Sequence, residues 1–212
     1  NKWVGGVLAS NGKIYGIPRS ATSVLEIDPI AQTANTFGSL AGSNKWFGGV
    51  LAPNGKIYGI PFNSTSVLEI DPIAQTVNTF GSLAGSAKWF GGVLAPNGKI
   101  YGISYNSTSV LEIDPIAQTV NTFGSLAGST KWVGGVLASN GKIYGIPFNS
   151  NSVLEIDPIA QTVNTFGSLA GSNKWAGGVL APNGKIYGIP YFSSSTSVLE
   201  IDPSAQTVNT FG

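Results

Sequence analysis

The stretch that decides the fold runs from Asn44 to Ser86 and reads NKWFGGVLAPNGKIYGIPFNSTSVLEIDPIAQTVNTFGSLAGS. Short apolar runs alternate in it with turn chemistry, the mark of strands joined by tight connections. A first strand is expected over residues 48–52, and Asn54-Gly55 then reads as a two-residue hairpin turn. A second strand over 56–60 leads to the polar loop around Asn63 to Thr65. The third, over 66–71, stops at Asp71-Pro72, because proline cannot donate to a ladder. The fourth, over 76–80, runs into the small-residue linker 81–86. No segment carries a helical period. With these lengths, Tyr58 lies across from Glu69, Lys56 from Asp71 and Ile60 from Val67, all on one face. Val50, Ala52, Ile57, Gly59, Leu68 and Ile70 are expected on the other.

Outward from this stretch, the same pattern returns every 43 residues. Trp3, Trp46, Trp89, Trp132 and Trp175 mark five copies, and the copy after the one quoted differs only at Ala87, Ser104 and Tyr105. The last copy carries two extra residues in its 191–196 loop and ends at Gly212, where a further SLAGS would begin. A sheet that is apolar on both faces must be covered on both, and radial stacking of identical sheets achieves this. A linear solenoid would need different end units, and the first and last copies here are ordinary ones. The expected fold is therefore all-β: a single domain, 1–212, forming a five-bladed β-propeller with four antiparallel strands per blade. Its blades span about 1–43, 44–86, 87–129, 130–172 and 173–212, and its ring is closed by packing of blade 5 on blade 1.

Composition narrows the function. Eleven basic and ten acidic residues give a net charge of +1 with no basic stripe, so nucleic acid is not an expected partner. No apolar run approaches the roughly 18 residues that cross a bilayer. Cysteine, methionine and histidine are absent, which removes disulfides, thiols, imidazole bases and the commonest zinc ligands; no metal or cofactor is expected. The chain starts at Asn1 without initiator methionine or signal-peptide pattern, as a processed or trimmed chain would.

Two families share parts of this repeat. APNGKIYGIPFNSTSVLEIDPIAQTVNTF resembles the YVTN type of bacterial and archaeal surface propeller repeat. GSAKWFGGVLAPNGKIYGI resembles the repeat of the five-bladed tachylectin type, an animal lectin, through its Trp-Phe-Gly-Gly and Pro-Asn-Gly-Lys segments. Five copies match the blade count of the lectin type. That resemblance implies one N-acetyl-hexosamine site per blade near the blade junctions, and a secreted or extracellular location.

The residues themselves offer three candidate chemistries. All ten acidic residues lie in five Glu-Ile-Asp triplets, such as Glu69 and Asp71. Paired carboxylates are the raw material of glycoside hydrolysis, yet beside Lys56 and Tyr58 they read as cross-strand ion pairs with a capped turn. Five-fold copies also conflict with the distinct roles that an active site needs, and Arg19 alone is singular, so no enzyme is expected. The five tryptophans can stack on pyranose faces while turn amides hold hydroxyls. Trp3, Trp46, Trp89, Trp132, Trp175 and Asn11, Asn54, Asn97, Asn140, Asn183 are thus the candidate ligand-binding residues. The alternative role of each indole is to fill the gap between blades. Differences between copies gather at the residue after Trp (Val4, Phe47, Phe90, Val133, Ala176) and in the loop after the second strand, where a protein partner could be read through the blade-edge loops. Asn63-Ser64-Thr65 and Asn106-Ser107-Thr108 fit the N-glycosylation pattern. The leading expectation is a multivalent, lectin-like propeller with one weak glycan site per blade; the alternative is a structural or protein-interaction scaffold.

Overall fold

The computed structural model describes residues 1–191 and 196–212; most of the two-residue expansion in the last loop lies outside them. Among the described residues, twenty strands form five four-stranded antiparallel sheets, one per repeat, each in simple sequential order. In blade 1 they are β1 (Trp3–Leu8), β2 (Ile14–Pro18), β3 (Val24–Asp28) and β4 (Thr33–Phe37). In blade 2 they are β5 (Trp46–Leu51), β6 (Ile57–Pro61), β7 (Val67–Asp71) and β8 (Thr76–Phe80). The architecture is that of a five-bladed propeller. The first strands of successive blades, β1, β5, β9 (Trp89–Leu94), β13 (Trp132–Leu137) and β17 (Trp175–Leu180), pack side by side, whereas the fourth strands are largely exposed.

Strands two and three keep the expected register, with Tyr58 opposite Glu69, and the fourth strand pairs with the third so that Asp71 stands opposite Thr76. The first hairpin does not. Positive φ occurs at Gly55 (78°) and not at Asn54, and Gly55 N donates to Ala52 O while Ala52 N donates to Lys56 O. Pro53 and Asn54 therefore form the corners of a type I turn and Gly55 follows in the left-handed region, a three-residue connection. Relative to a two-residue turn, this shifts the pairing so that Val50 stands opposite Tyr58. A slip of one residue moves a strand's side chains to the other face. Val50 and Ala52 consequently lie with Tyr58, Ile60 and Val67, opposite to the expected side.

Each interface between blades joins two different faces. Ala52, Tyr58, Ile60 and Val67 of blade 2, with Leu83 of the linker, meet Trp89, Ile100, Leu111 and Ile113 of blade 3, and all are buried. Equivalent clusters join blades 1 and 2, 3 and 4, and 4 and 5. Gly-Gly after Trp makes this approach feasible. A Cβ on Gly92 would stand 2.5 Å from Ile60 Cδ1 of the preceding blade, and one on Gly48 would stand 3.3 Å from the Gly91 Cα. The expected packing of blade 5 on blade 1 differs: among the described residues, no comparable packing joins β17 to β1.

Candidate functional site

The Glu-Ile-Asp triplets resolve into a latch between blades. Glu69 Oε1 accepts from Lys56 Nζ at 2.9 Å, and Glu69 Oε2 faces the Tyr58 hydroxyl at 3.0 Å. Gln118 Nε2 of blade 3 also donates to Glu69 Oε2, at 3.0 Å, and the Tyr58 hydroxyl lies 3.2 Å from Pro115 O of blade 3. Asp71 is turned away: its Oδ1 accepts from the Ile73 and Ala74 amides and caps the turn, while Lys56 approaches it only to 3.9 Å. In the copy at Glu112, burial pushes the carboxyl up, but hydrogen bonds from Lys99, Gln161 and Tyr101 outweigh it and leave the group below its ordinary value. Burial is also what pushes the Tyr58 phenol up to about 12. With its oxygens occupied by Lys, Tyr and Gln, the carboxylate is placed to hold neighbouring blades together. The Gln contact was not visible in the sequence, because its two ends lie 49 residues apart.

The candidate tryptophans and asparagines do not converge. They stand at opposite ends of each first strand, eight residues or roughly 26 Å apart along the chain at most. Trp46, Trp89, Trp132 and Trp175 are only 2–3% exposed, and Trp3 is partly buried. Each indole Nε1 donates to a backbone carbonyl of its own blade, Ser66 O at 2.8 Å in blade 2. These four leave no open indole face for a pyranose, and their burial within the inter-blade clusters fits the gap-filling role. In the turn, Asn54 Nδ2 donates to the Tyr58 hydroxyl at 2.9 Å, and Oδ1 accepts from Lys56 N. Asn11, Asn97, Asn140 and Asn183 repeat both bonds. Asn63 and Asn106 are likewise engaged through Oδ1, which accepts the Ala87 and Thr130 amides respectively.

At the Trp end of the blade lies a groove of about 450 Å³, between the linker from the previous blade and the loop after the second strand. Ser39 and Ser43 form one wall, and Asn63, Thr65 and Ser66 form the other, with Thr79 and the accessible edge of Trp46 between them. Blade 5 has the same groove, of about 510 Å³, bounded by Ser168 to Ser172 and Trp175. Blade 1 has one of about 420 Å³ around Trp3, without a linker wall. In blade 2 the cation at the base of the groove is sequestered: Lys45 Nζ donates to Ala21 O and Gly42 O at 2.7–2.9 Å, and burial holds its pKa below the ordinary lysine value. Lys174 is held in the same way in blade 5, whereas Lys2 of blade 1 is exposed. In blades 2 and 5 the groove therefore offers hydroxyls and backbone polar groups without a free cation. Sequence reading found its Trp but missed the linker serines, which looked like spacer.

At the same end, the variable positions meet as aromatic rings. Phe47 lies 4.5 Å from Phe62 and 4.7 Å from Phe90, Tyr105 lies 5.7 Å from Phe90, and the Arg19 guanidinium stands 4.6 Å from the Phe47 ring centre.

No protein-family model and no curated protein matches the chain. Its fold does recur among solved structures. A catalytically inactive virginiamycin B lyase from Staphylococcus aureus, solved with quinupristin, superposes with a TM-score of 0.84 at 10% identity, over 99% of this chain and 69% of that one. The extracellular domain of a putative one component system from B. thetaiotaomicron gives 0.74 at 10% identity, over 99% of this chain and 30% of that one. An auxiliary nutrient binding protein from Bacteroides ovatus gives 0.68 at 13% identity, over 100% of this chain and 57% of that one. At these identities the likeness is one of propeller fold. No helix among the described residues is long and apolar enough to cross a membrane.

Proposed function

We propose that this propeller is a multivalent carbohydrate-binding protein of tachylectin-like type, without catalytic activity, acting at an extracellular location. It takes neutral sugars, N-acetylated amino sugars among them, at one weak site per blade. The observation that carries the reading is the polar groove at the Trp end, repeated in blades 1, 2 and 5. Hydroxyls, amides and an aromatic edge suit a polyhydroxylated ligand, whereas the buried Lys45 and Lys174 of blades 2 and 5 give an anion little purchase. Relative to the sequence expectation, the sugar sits against the linker serines and meets the indole edge on. Weak sites repeated on one rigid body gain apparent affinity on a glycan-coated surface, by roughly 10² to 10⁴.

Calorimetric titration with N-acetylglucosamine and a panel of neutral sugars tests this. Four to five sites per chain are expected, and Ala41→Trp, on an exposed linker position that lines the groove of blade 2, should remove one of them without loss of folding. An absence of heat across the panel, or an Ala41→Trp titration unchanged in stoichiometry, would overturn the reading.

A protein-interaction scaffold is the second reading. It is favoured by the aromatic cluster around Phe47 and Phe90, and by Ile30, Ile73, Ile116 and Ile159, which stand almost fully exposed in the turns after the third strands. One protein bound per chain, lost on Phe90→Ala, would support it.

A further inference from the structure

Four junctions between blades are packed alike, and the fifth junction exposes both of its halves. Ile17, Ile60, Ile103 and Ile146 are fully buried, each against a glycine of the following blade; their counterpart Ile189 is 51% exposed. On the other side of the seam, Leu8 is 62% exposed, while its counterparts Leu51, Leu94 and Leu137 are packed into the clusters. Along the first strands, a Cβ on Gly5, Gly48, Gly91 or Gly134 would meet the next blade's glycine at 3.3–3.6 Å, whereas one on Gly177 would meet nothing within 4 Å. Gln75, Gln118, Gln161 and Gln206 each reach back to a glutamate of the preceding blade, burying it to 2–6%, while Glu200 in the last blade remains 20% exposed. The groove of blade 1 lacks the linker wall that blades 2 and 5 possess.

The size of the opening follows from curvature. The five blades superpose over 99% of their length on the seven-bladed lyase and account for 69% of it, so their spacing is that of a ring with room for about two more. Closing five blades on themselves would require each wedge to widen from about 51° to about 72°. The interdigitated Ile60 and Gly92 contact, already without slack, resists such a change. A second copy of the chain is too large for the gap.

We infer that the seam between blades 5 and 1 is a docking surface for two further blades of this same 43-residue repeat, carried on the same polypeptide through the Ser-Leu-Ala-Gly-Ser linker. Both exposed faces are then complementary to what fills them, since each is a copy of a face already buried four times. The incoming linker also completes the groove of blade 1. The inference is independent of any ligand.

Backbone amide exchange on chains of five, six, seven and eight tandem repeats tests it. In the five-repeat chain, amides of Leu8, Ile14 and Ile189 should exchange at least about 100-fold faster than those of Leu51, Ile57 and Ile60. In the seven-repeat chain the difference should vanish, and in the eight-repeat chain one blade should exchange fast. Small-angle scattering of the five-repeat chain should show an open arc. Three results would overturn the inference: uniform slow exchange in a monomeric five-repeat chain, protection that rises with its concentration, or full protection of all blades at six or eight repeats.

Discussion

The junction of blades 2 and 3 and the seam of blades 5 and 1 are built from nearly the same residues, yet one is a dry core and the other is open to water. At the first, Ile60 fills the space above Gly92, Trp89 is buried and Gln118 holds Glu69. At the second, Ile189, Leu8 and Phe211 face solvent. Side-chain chemistry therefore does not decide whether a face is core; the presence of the next blade at the right wedge angle does. Burial of such a face is worth about 25 cal/mol per Å² of apolar surface only when a partner arrives to cover it.

The difference can be sharpened with paired substitutions read by chemical denaturation. Ile60→Ala should cost about 2–5 kcal/mol, as expected for deletion of a buried aliphatic side chain, against about 0.5 kcal/mol or less for Ile189→Ala. Equal costs would mean that the seam is closed in solution. A smaller effect comes from overpacking. Gly92→Ala drives a methyl to 2.5 Å from Ile60 Cδ1 and should cost about 1–3 kcal/mol, while Gly6→Ala, whose new methyl comes no closer than 3.3 Å to Ile14 Cγ2, should cost about 0.5 kcal/mol.

The smallest and most diffuse effect is on pH dependence. The Glu112 carboxyl sits below its ordinary 4.5 in the folded chain. The unfolded chain thus binds its proton first as pH falls, and the stability contributed by the latch is present above about 4.5 and lost below it. At the alkaline end the Tyr58 and Tyr144 phenols are raised to about 12 from 10. The unfolded chain then loses those protons first, and stability should fall as pH rises from about 10 to 12. Gln161→Ala should move the acid limb upward by loosening Glu112, whereas Gln32→Ala, at the seam, should leave it in place.

Much of this was legible in the sequence. The 43-residue period, the four strands of each unit and the Tyr58–Glu69 pairing all follow from turn residues and alternation. The face of Val50 was not, because the apparent Asn-Gly hairpin is a three-residue turn in every blade, whether Pro53 or its counterpart Ser10 stands at the first corner, and a single residue of register reverses a strand. The Gln118 latch was hidden by its separation in the chain, and Ser39 and Ser43 read as spacer because a hydroxyl declares its role only when another wall faces it. The seam lay beyond reach for a different reason. Wedge angle depends on contacts of a few tenths of an ångström at Gly48 and Gly91, which no pattern of residue types encodes.

The linker has one further consequence. Because all blades present nearly interchangeable faces, packing alone would let blade 2 dock on blade 4 as well as on blade 3. What forbids it is tether length: residues 81–86 are pinned by Leu83, whose amide donates to Thr65 O at 2.7 Å and whose side chain is buried. So short a leash lets only the adjacent unit reach. Sequence identity among the repeats, which elsewhere invites shuffled assembly during folding, is rendered harmless here by a few small residues.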